Sequence, residues 1–169
     1  MSSSDSEENY ETEFVNLKFN AGWNLLKDSY FGPAIQLQSR EYTDLTEAGS
    51  LRRYLAVNDE EAESTRVGLG VQLKRDTRDN TFYTQKGVFS ELELLAFDKD
   101  WGSDYNFNLF ALEHRRFIPL DSRSVFAVQA KINAASGHVP YDQLPAIGGA
   151  QSLRGVLQDR FKDDFALSS

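Results

Sequence analysis

The sequence predicts an all-β protein, an antiparallel up-and-down meander of about seven strands. Three observations predict it. Apolar and polar residues alternate with a period of two from residue 13 almost to the end. The alternating stretches are separated by turns and loops, not by helical patterns of crossover length, so consecutive strands pair antiparallel. The connections also differ systematically in length: 27–30 and 119–122 are short and 77–87 is moderate, whereas 43–63 and 137–157 are long and 98–104 is intermediate. In an antiparallel meander the short and moderate ones fall at one end of the sheet and the others at the opposite end.

The first strand places Val15, Leu17, Phe19, Ala21, Trp23 and Leu25 on one face, against Asn16, Lys18, Asn20, Gly22 and Asn24. A turn at Lys27-Asp28-Ser29 leads into the second, with Phe31, Pro33, Ile35 and Leu37 opposite Gly32, Ala34, Gln36, Gln38 and Arg40. Residues 43–63 lose the alternation, are rich in Glu, Asp and Ala, and read as a long loop with room for a helical turn. The third strand is the cleanest, Val67, Leu69, Val71 and Leu73 against Arg66, Gly68, Gly70, Gln72 and Lys74. Asp76-Thr77-Arg78-Asp79-Asn80 breaks it, and Gly87 closes the turn. The fourth strand, 88–97, sets Leu92, Leu94 and Ala96 against Glu91 and Glu93. Tyr105, Phe107, Leu109 and Ala111 begin a fifth, opposite Asn106 and Asn108. Pro119-Leu120-Asp121-Ser122 is a tight turn. Phe126, Val128, Ala130, Ile132 and Ala134 make a sixth strand opposite Gln129, Lys131 and Asn133, and 159–167 reads as a seventh.

Composition narrows the function classes. A chain of 169 residues is long enough for one domain with a real core. A net charge of −8 argues against nucleic acid, whose phosphates want a basic stripe. Cysteine is absent, which removes disulfides, thiol nucleophiles and zinc–thiolate sites. His114 and His138 share no metal-ligand spacing, and neither a metal nor a cofactor is expected. No apolar run approaches the ~20 residues of a membrane helix. The opening Met-Ser-Ser-Ser-Asp-Ser-Glu-Glu lacks the basic and apolar regions of a signal peptide. Residues 1–12 read as a disordered acidic lead-in, and 13–169 as one partial barrel domain.

Two architectures give such alternation: a soluble lipocalin-like barrel with apolar residues inside, and a membrane barrel with apolar residues facing lipid. Period alone does not separate them. The polar face favours the membrane barrel. It carries Gly22, Gly32, Gly68 and Gly70 among Asn and Gln, where a water-exposed face favours Lys, Glu and Thr and glycine weakens a strand for no return. Short turns at one end and long loops at the other fit outer-membrane barrels, as do aromatics near strand ends. Stretches of about 9–11 residues are long enough to cross a bilayer when tilted. The fold class expected is therefore part of a transmembrane β-barrel. The rival is a soluble barrel carrying a small apolar ligand.

Residues 147–156, Ile-Gly-Gly-Ala-Gln-Ser-Leu-Arg-Gly-Val, carry no strand pattern although strands flank them. The segment Gly148 to Gly155 resembles the signature of the bacterial surface antigen family, the barrel of the BamA- and TamA-type outer-membrane proteins. That signature is Gly-Gly, three variable residues, an apolar residue, Arg-Gly and an aromatic. Asp76-Thr77-Arg78-Asp79-Asn80 with Tyr83 and Lys86-Gly87 resembles a turn of the same family, and Arg115 to Leu120 resembles one of its strand ends. The segment Pro140 to Pro145 resembles its approach to the signature loop. The likeness runs from about Arg66 to Phe165. Val156 departs from it, standing where the family has Phe or Tyr, and the later strand whose acid pairs with the loop arginine is not in this chain.

The resemblance implies a non-enzymatic protein of the outer membrane, with the lipid bilayer and unfolded barrel-protein substrates as partners and no nucleic acid. It implies that Gly148, Gly149, Leu153, Arg154 and Gly155 form a loop folded back into the lumen. There the guanidinium of Arg154 would need a carboxylate, for which Glu91 and Glu93 on the polar face are candidates. Asp76, Arg78 and Asp79 read as a turn clamp. His114 is a conceivable general base, but no Ser or Cys nucleophile is placed with it. Asp98, Asp100 and Asp104 do not have calcium-loop spacing. A third reading makes the barrel the membrane anchor of a catalytic domain outside this chain.

Overall fold

The period of two becomes one curled antiparallel sheet, a half-barrel, in the computed structural model. The structure describes residues 11–43, 49–121, 123–147, 161–162 and 165–168. The elements are β1 (Glu11–Asn20), β2 (Trp23–Leu26), β3 (Ser29–Thr43), α1 (Ser50–Val57), β4 (Glu63–Asp76), β5 (Gly87–Phe97), β6 (Phe107–Pro119), β7 (Val125–Gly137), β8 (Ala146–Ile147), β9 (Phe161–Lys162) and β10 (Phe165–Ser168). The sheet order is β1-β3-β4-β5-β6-β7-β10, with β2 also on β3 and with β8 and β9 forming a separate ribbon.

β1 and β2 lie end to end along β3, interrupted at Ala21 and Gly22, and together are the first strand of the sequence reading. Glu11 and Thr12 pair with Thr43 and Tyr42, so the sheet begins two residues before the expected boundary at 13. Residues 1–10 lie outside the described residues.

Register fixes the faces. The rows Phe31–Leu73–Leu92–Leu112–Ile132 and Pro33–Val71–Leu94–Phe110–Ala134 run across the outer face. Many apolar side chains of the outer face are solvent-exposed: Leu17 on β1 is 49% and Val71 on β4 is 39% accessible. The opposite, inner face holds Gln36, Gln38, Ser64 and Arg66, all buried. Apolar outside and polar inside is the reverse of a lipocalin, and it sets that rival aside.

One strand departs from the simple pattern. Phe107, Leu109 and Ala111 pair with Phe97, Leu95 and Glu93, which puts them on the inner face and Asn108 on the outer. The interior is not uniformly wet. At the long-loop end Ala34, Leu95, Phe97, Tyr105 and Phe107 form an apolar cluster, with the Phe97 and Phe107 rings stacked 4.2 Å apart. Gly68 makes room for it, since a Cβ there would lie 2.5 Å from the Phe97 ring.

The long loops cover this end. In α1 the i,i+4 pair Leu51 and Leu55 packs on Tyr42, with Ala62 and Tyr141 alongside. The 3₁₀ turn Tyr141–Gln143 follows the buried Pro140. The opposite end has a tight turn at Lys27 and Asp28, the moderate connection 77–86, and the turn in which the Asp121 carboxylate accepts from the N–H groups of Arg123 and Ser124.

Candidate functional site

β3 and β4 each bring one arginine to the inner face below the long loops, Arg40 and Arg66. Both point at Asp142 in the turn after β7. Arg66 Nη1 lies 2.5 Å and Arg40 Nη2 3.1 Å from the same oxygen, Asp142 Oδ2. The Arg66 and Asp142 side chains are 2% and 4% exposed. Arg66 Nη2 donates to Ser64 Oγ (2.8 Å), Arg40 Nη1 donates to the Tyr42 hydroxyl (2.8 Å), and Gln143 Nε2 donates to Asp142 Oδ2 (2.8 Å). The guanidinium of Arg66 also sits 5.8 Å from the Tyr105 ring centroid.

The same loops are tied to each other. The backbone N–H of Tyr141 donates to the Glu60 carboxylate at 3.2 Å, the N–H of Glu61 donates to the Tyr105 hydroxyl at 2.9 Å, and the Tyr54 and Tyr141 rings meet edge-on at 5.0 Å. Residues 54–61 and the segment after β7 are thereby fastened to the inner wall and to one another.

Electrostatics follow from burial. Burial alone would raise the Asp142 carboxyl, but the Arg66 charge and hydrogen bond, the Gln143 hydrogen bond and the Arg40 charge outweigh it and hold it below the ordinary carboxylate range. Burial raises Glu60, with the Asp142 charge adding to the rise and the Tyr141 N–H opposing it. Among the described residues, Gln38 Oε1, Arg40 Nε, Arg66 Nε and Asp142 Oδ1 are buried without a hydrogen-bond partner, so the cluster keeps both donor and acceptor capacity.

A second polar patch lines the wall below. Lys18 Nζ contacts Glu93 Oε1 at 2.6 Å, and Gln72 Nε2 donates to Glu91. Glu113 accepts from Arg115 Nε, and from Gln129 Nε2 at 3.0 Å.

These features point to a wet-lumen barrel with its long-loop end tied inward. The family model for the Omp85 superfamily domain matches residues 1–163. The chain belongs to the Omp85 superfamily. The structure is similar to that of BamA from Haemophilus ducreyi lacking POTRA domains 1–3, with a TM-score of 0.72 and 15% identity, over 89% of this chain and 31% of that one. The chain thus spans about a third of that relative, and at this identity the likeness is one of fold. A search of curated proteins finds no match. The Omp85 chain is part of an outer-membrane barrel, with a fold like that of the BamA barrel.

The signature residues Gly148, Gly149, Leu153, Arg154 and Gly155 lie outside the described residues. On either side of them, Ala146 pairs with Lys162 and Ile147 with Phe161. Glu91 and Glu93 face the lumen, engaged as above. Asp76 takes both Arg78 Nε (2.9 Å) and Nη2 (2.7 Å), while Asp79 Oδ1 accepts from the N–H groups of Gln85 (3.0 Å) and Lys86 (3.3 Å). Burial opposes the hydrogen bond to Asp76 and the charges of Asp76 and Glu113, but the hydrogen bond is the largest influence and Arg78 is raised.

His114 corrects the sequence reading, because Ser90 Oγ lies 2.8 Å from its Nδ1 across the β5–β6 pair. The pair sits on the outer face, and among the described residues no carboxylate contacts the imidazole. Asp98 caps its own turn by accepting from the Asp100 N–H, and Asp104 accepts from the Thr65 N–H.

The Arg40–Arg66–Asp142 cluster escaped sequence reading. Arg40 and Arg66 stood on the polar face of their strands, but their common partner is 76 residues beyond Arg66. The available signal was a single acid, Asp142, between Pro140 and Pro145.

Proposed function

We propose that the whole protein assembles or translocates β-barrel proteins at the outer membrane without enzymatic chemistry. In this reading Gly148, Gly149, Leu153, Arg154 and Gly155 fold into the lumen, and Arg154 pairs with an inner-wall carboxylate. Unfolded barrel proteins are the substrates and the bilayer is the other partner. The work is done by strand pairing: an open sheet edge offers unpaired N–H and C=O groups to an incoming strand.

The observation that carries the reading is the inward fastening of the chain just before the signature. Asp142 is held on Arg66 and Arg40, and four residues later the β8–β9 pairing begins. This supports a loop that starts from the lumen wall and not from free solvent. Asp142 Oδ1, buried and without a hydrogen-bond partner among the described residues, adds a third candidate carboxylate to Glu91 and Glu93.

The test uses the full-length protein in liposomes with a urea-unfolded outer-membrane barrel as substrate. Folding of the substrate is followed by its heat-modifiable gel shift. The intact protein should accelerate folding over empty liposomes. Arg154→Ala should reduce that acceleration and raise protease cleavage within residues 137–157. No acceleration by the intact protein would refute the assembly role. Unchanged cleavage would refute the lumen role of Arg154.

A further inference from the structure

The outer face changes chemistry along its length. Beside the row Phe31–Leu73–Leu92–Leu112–Ile132, one step toward the short-turn end, runs the row Ser29–Arg75–Ser90–His114–Ala130. Arg116 follows on the same face of β6, between Val88 and Val128. Arg75, His114 and Arg116 are exposed, and no carboxylate among the described residues pairs with either arginine. The other end is opposite in sign. Glu13, Glu41 and Glu63 are direct register partners on the outer face of β1, β3 and β4 at the long-loop end, all exposed.

An arginine on the lipid side of a barrel is costly in hydrocarbon and nearly free at the interface. Two unpaired arginines beside an aliphatic band therefore mark the depth at which the acyl chains end. We propose that Arg75, His114 and Arg116 form a binding site for the phosphate of an anionic phospholipid in the leaflet at the short-turn end. Its acyl chains would lie along Leu73, Leu92, Leu112 and Ile132. Charge complementarity selects an anion, since guanidinium groups suit phosphate oxygens. The adjoining aliphatic row selects a lipid over a soluble phosphate or an acidic protein, neither of which needs it. The glutamate row repels the same headgroup from the opposite leaflet, so the site has one sidedness. The inference rests on the outer-membrane reading of the barrel.

The experiment is native mass spectrometry of the full-length protein released from detergent, titrated with phosphatidylglycerol or with phosphatidylcholine. The protein should retain phosphatidylglycerol preferentially, and Arg75→Gln with Arg116→Gln should lower that preference by about fivefold per arginine. Arg75→Lys with Arg116→Lys, which keeps the charge, should preserve most of it. The heat-modifiable gel shift of each variant confirms that it has folded. If the Gln variant does not fold, Arg75→Gln alone and Arg116→Gln alone carry the test. Equal retention of both lipids by the folded wild type, or an unchanged preference in the Gln variants, would overturn the site. Displacement of phosphatidylglycerol by millimolar inorganic phosphate would reassign it to a soluble anion. Retention of neither lipid would count against the membrane barrel itself, a failure distinct from the others.

Discussion

At the scale of single residues, Asp142 is the most consequential side chain described. One carboxylate oxygen serves two arginines, and the Arg66–Asp142 pair is almost fully withdrawn from water. Removing one member of a buried ion pair leaves the other charge uncompensated, so Asp142→Ala should destabilise the long-loop end by roughly 3–5 kcal/mol. Limited proteolysis of residues 138–147 in the detergent-solubilised full-length protein measures it, and an unchanged cleavage rate would contradict the pairing. The pH dependence has a definite sign. A carboxyl lowered on folding contributes stability that is present above its unfolded value and is lost as pH falls through its lower folded value. Protection of 138–147 should therefore hold from neutral pH down to about pH 4 and decay below it. Loss of protection between pH 8 and 6 would point to another group. Some of this was legible from sequence: the polar side of β4 put Arg66 on the inner face. Its partner was not, because nothing local ties position 66 to position 142.

At the scale of elements, the strands were legible because a half-wet, half-apolar sheet writes its faces into the sequence at every second residue. The fifth predicted strand shows where that inference stops. Phe107, Leu109 and Ala111 alternate as well as any lipid-facing trio, yet they point inward, onto Phe97, Leu95 and Glu93. Alternation reports that two faces differ and is silent about which is which. The register with β5 decides it. Gly68 belongs to this contact, because the Phe97 ring occupies the space a side chain would fill. Gly68→Val should displace Phe97 from its stack with Phe107 and cost about 1–3 kcal/mol by overpacking. The temperature at which the barrel loses its heat-modifiable gel shift should fall.

At the scale of the whole molecule, the half-barrel is inverted relative to a soluble protein, and its two ends differ. The long-loop end is packed inward with aromatic rings and a buried ion cluster. The short-turn end presents cations on its outer face. The lipid-binding test above belongs to this scale, since Arg75 and Arg116 act through their level on the barrel and not through any contact with each other. So does the assembly test, which depends on a sheet edge and an inward loop together.

The sequence by itself determined the strands, their antiparallel order, the two classes of connection and, through the signature before Val156, the family. Those are local or periodic properties, and each residue carries its share of them. Tertiary structure decided which face of β6 points inward, that Ser90 meets His114, and that Arg40, Arg66 and Asp142 share one oxygen. These depend on register and curl, which bring together side chains far apart in the chain. Burial then turns their charges from solvated groups into a structural tie.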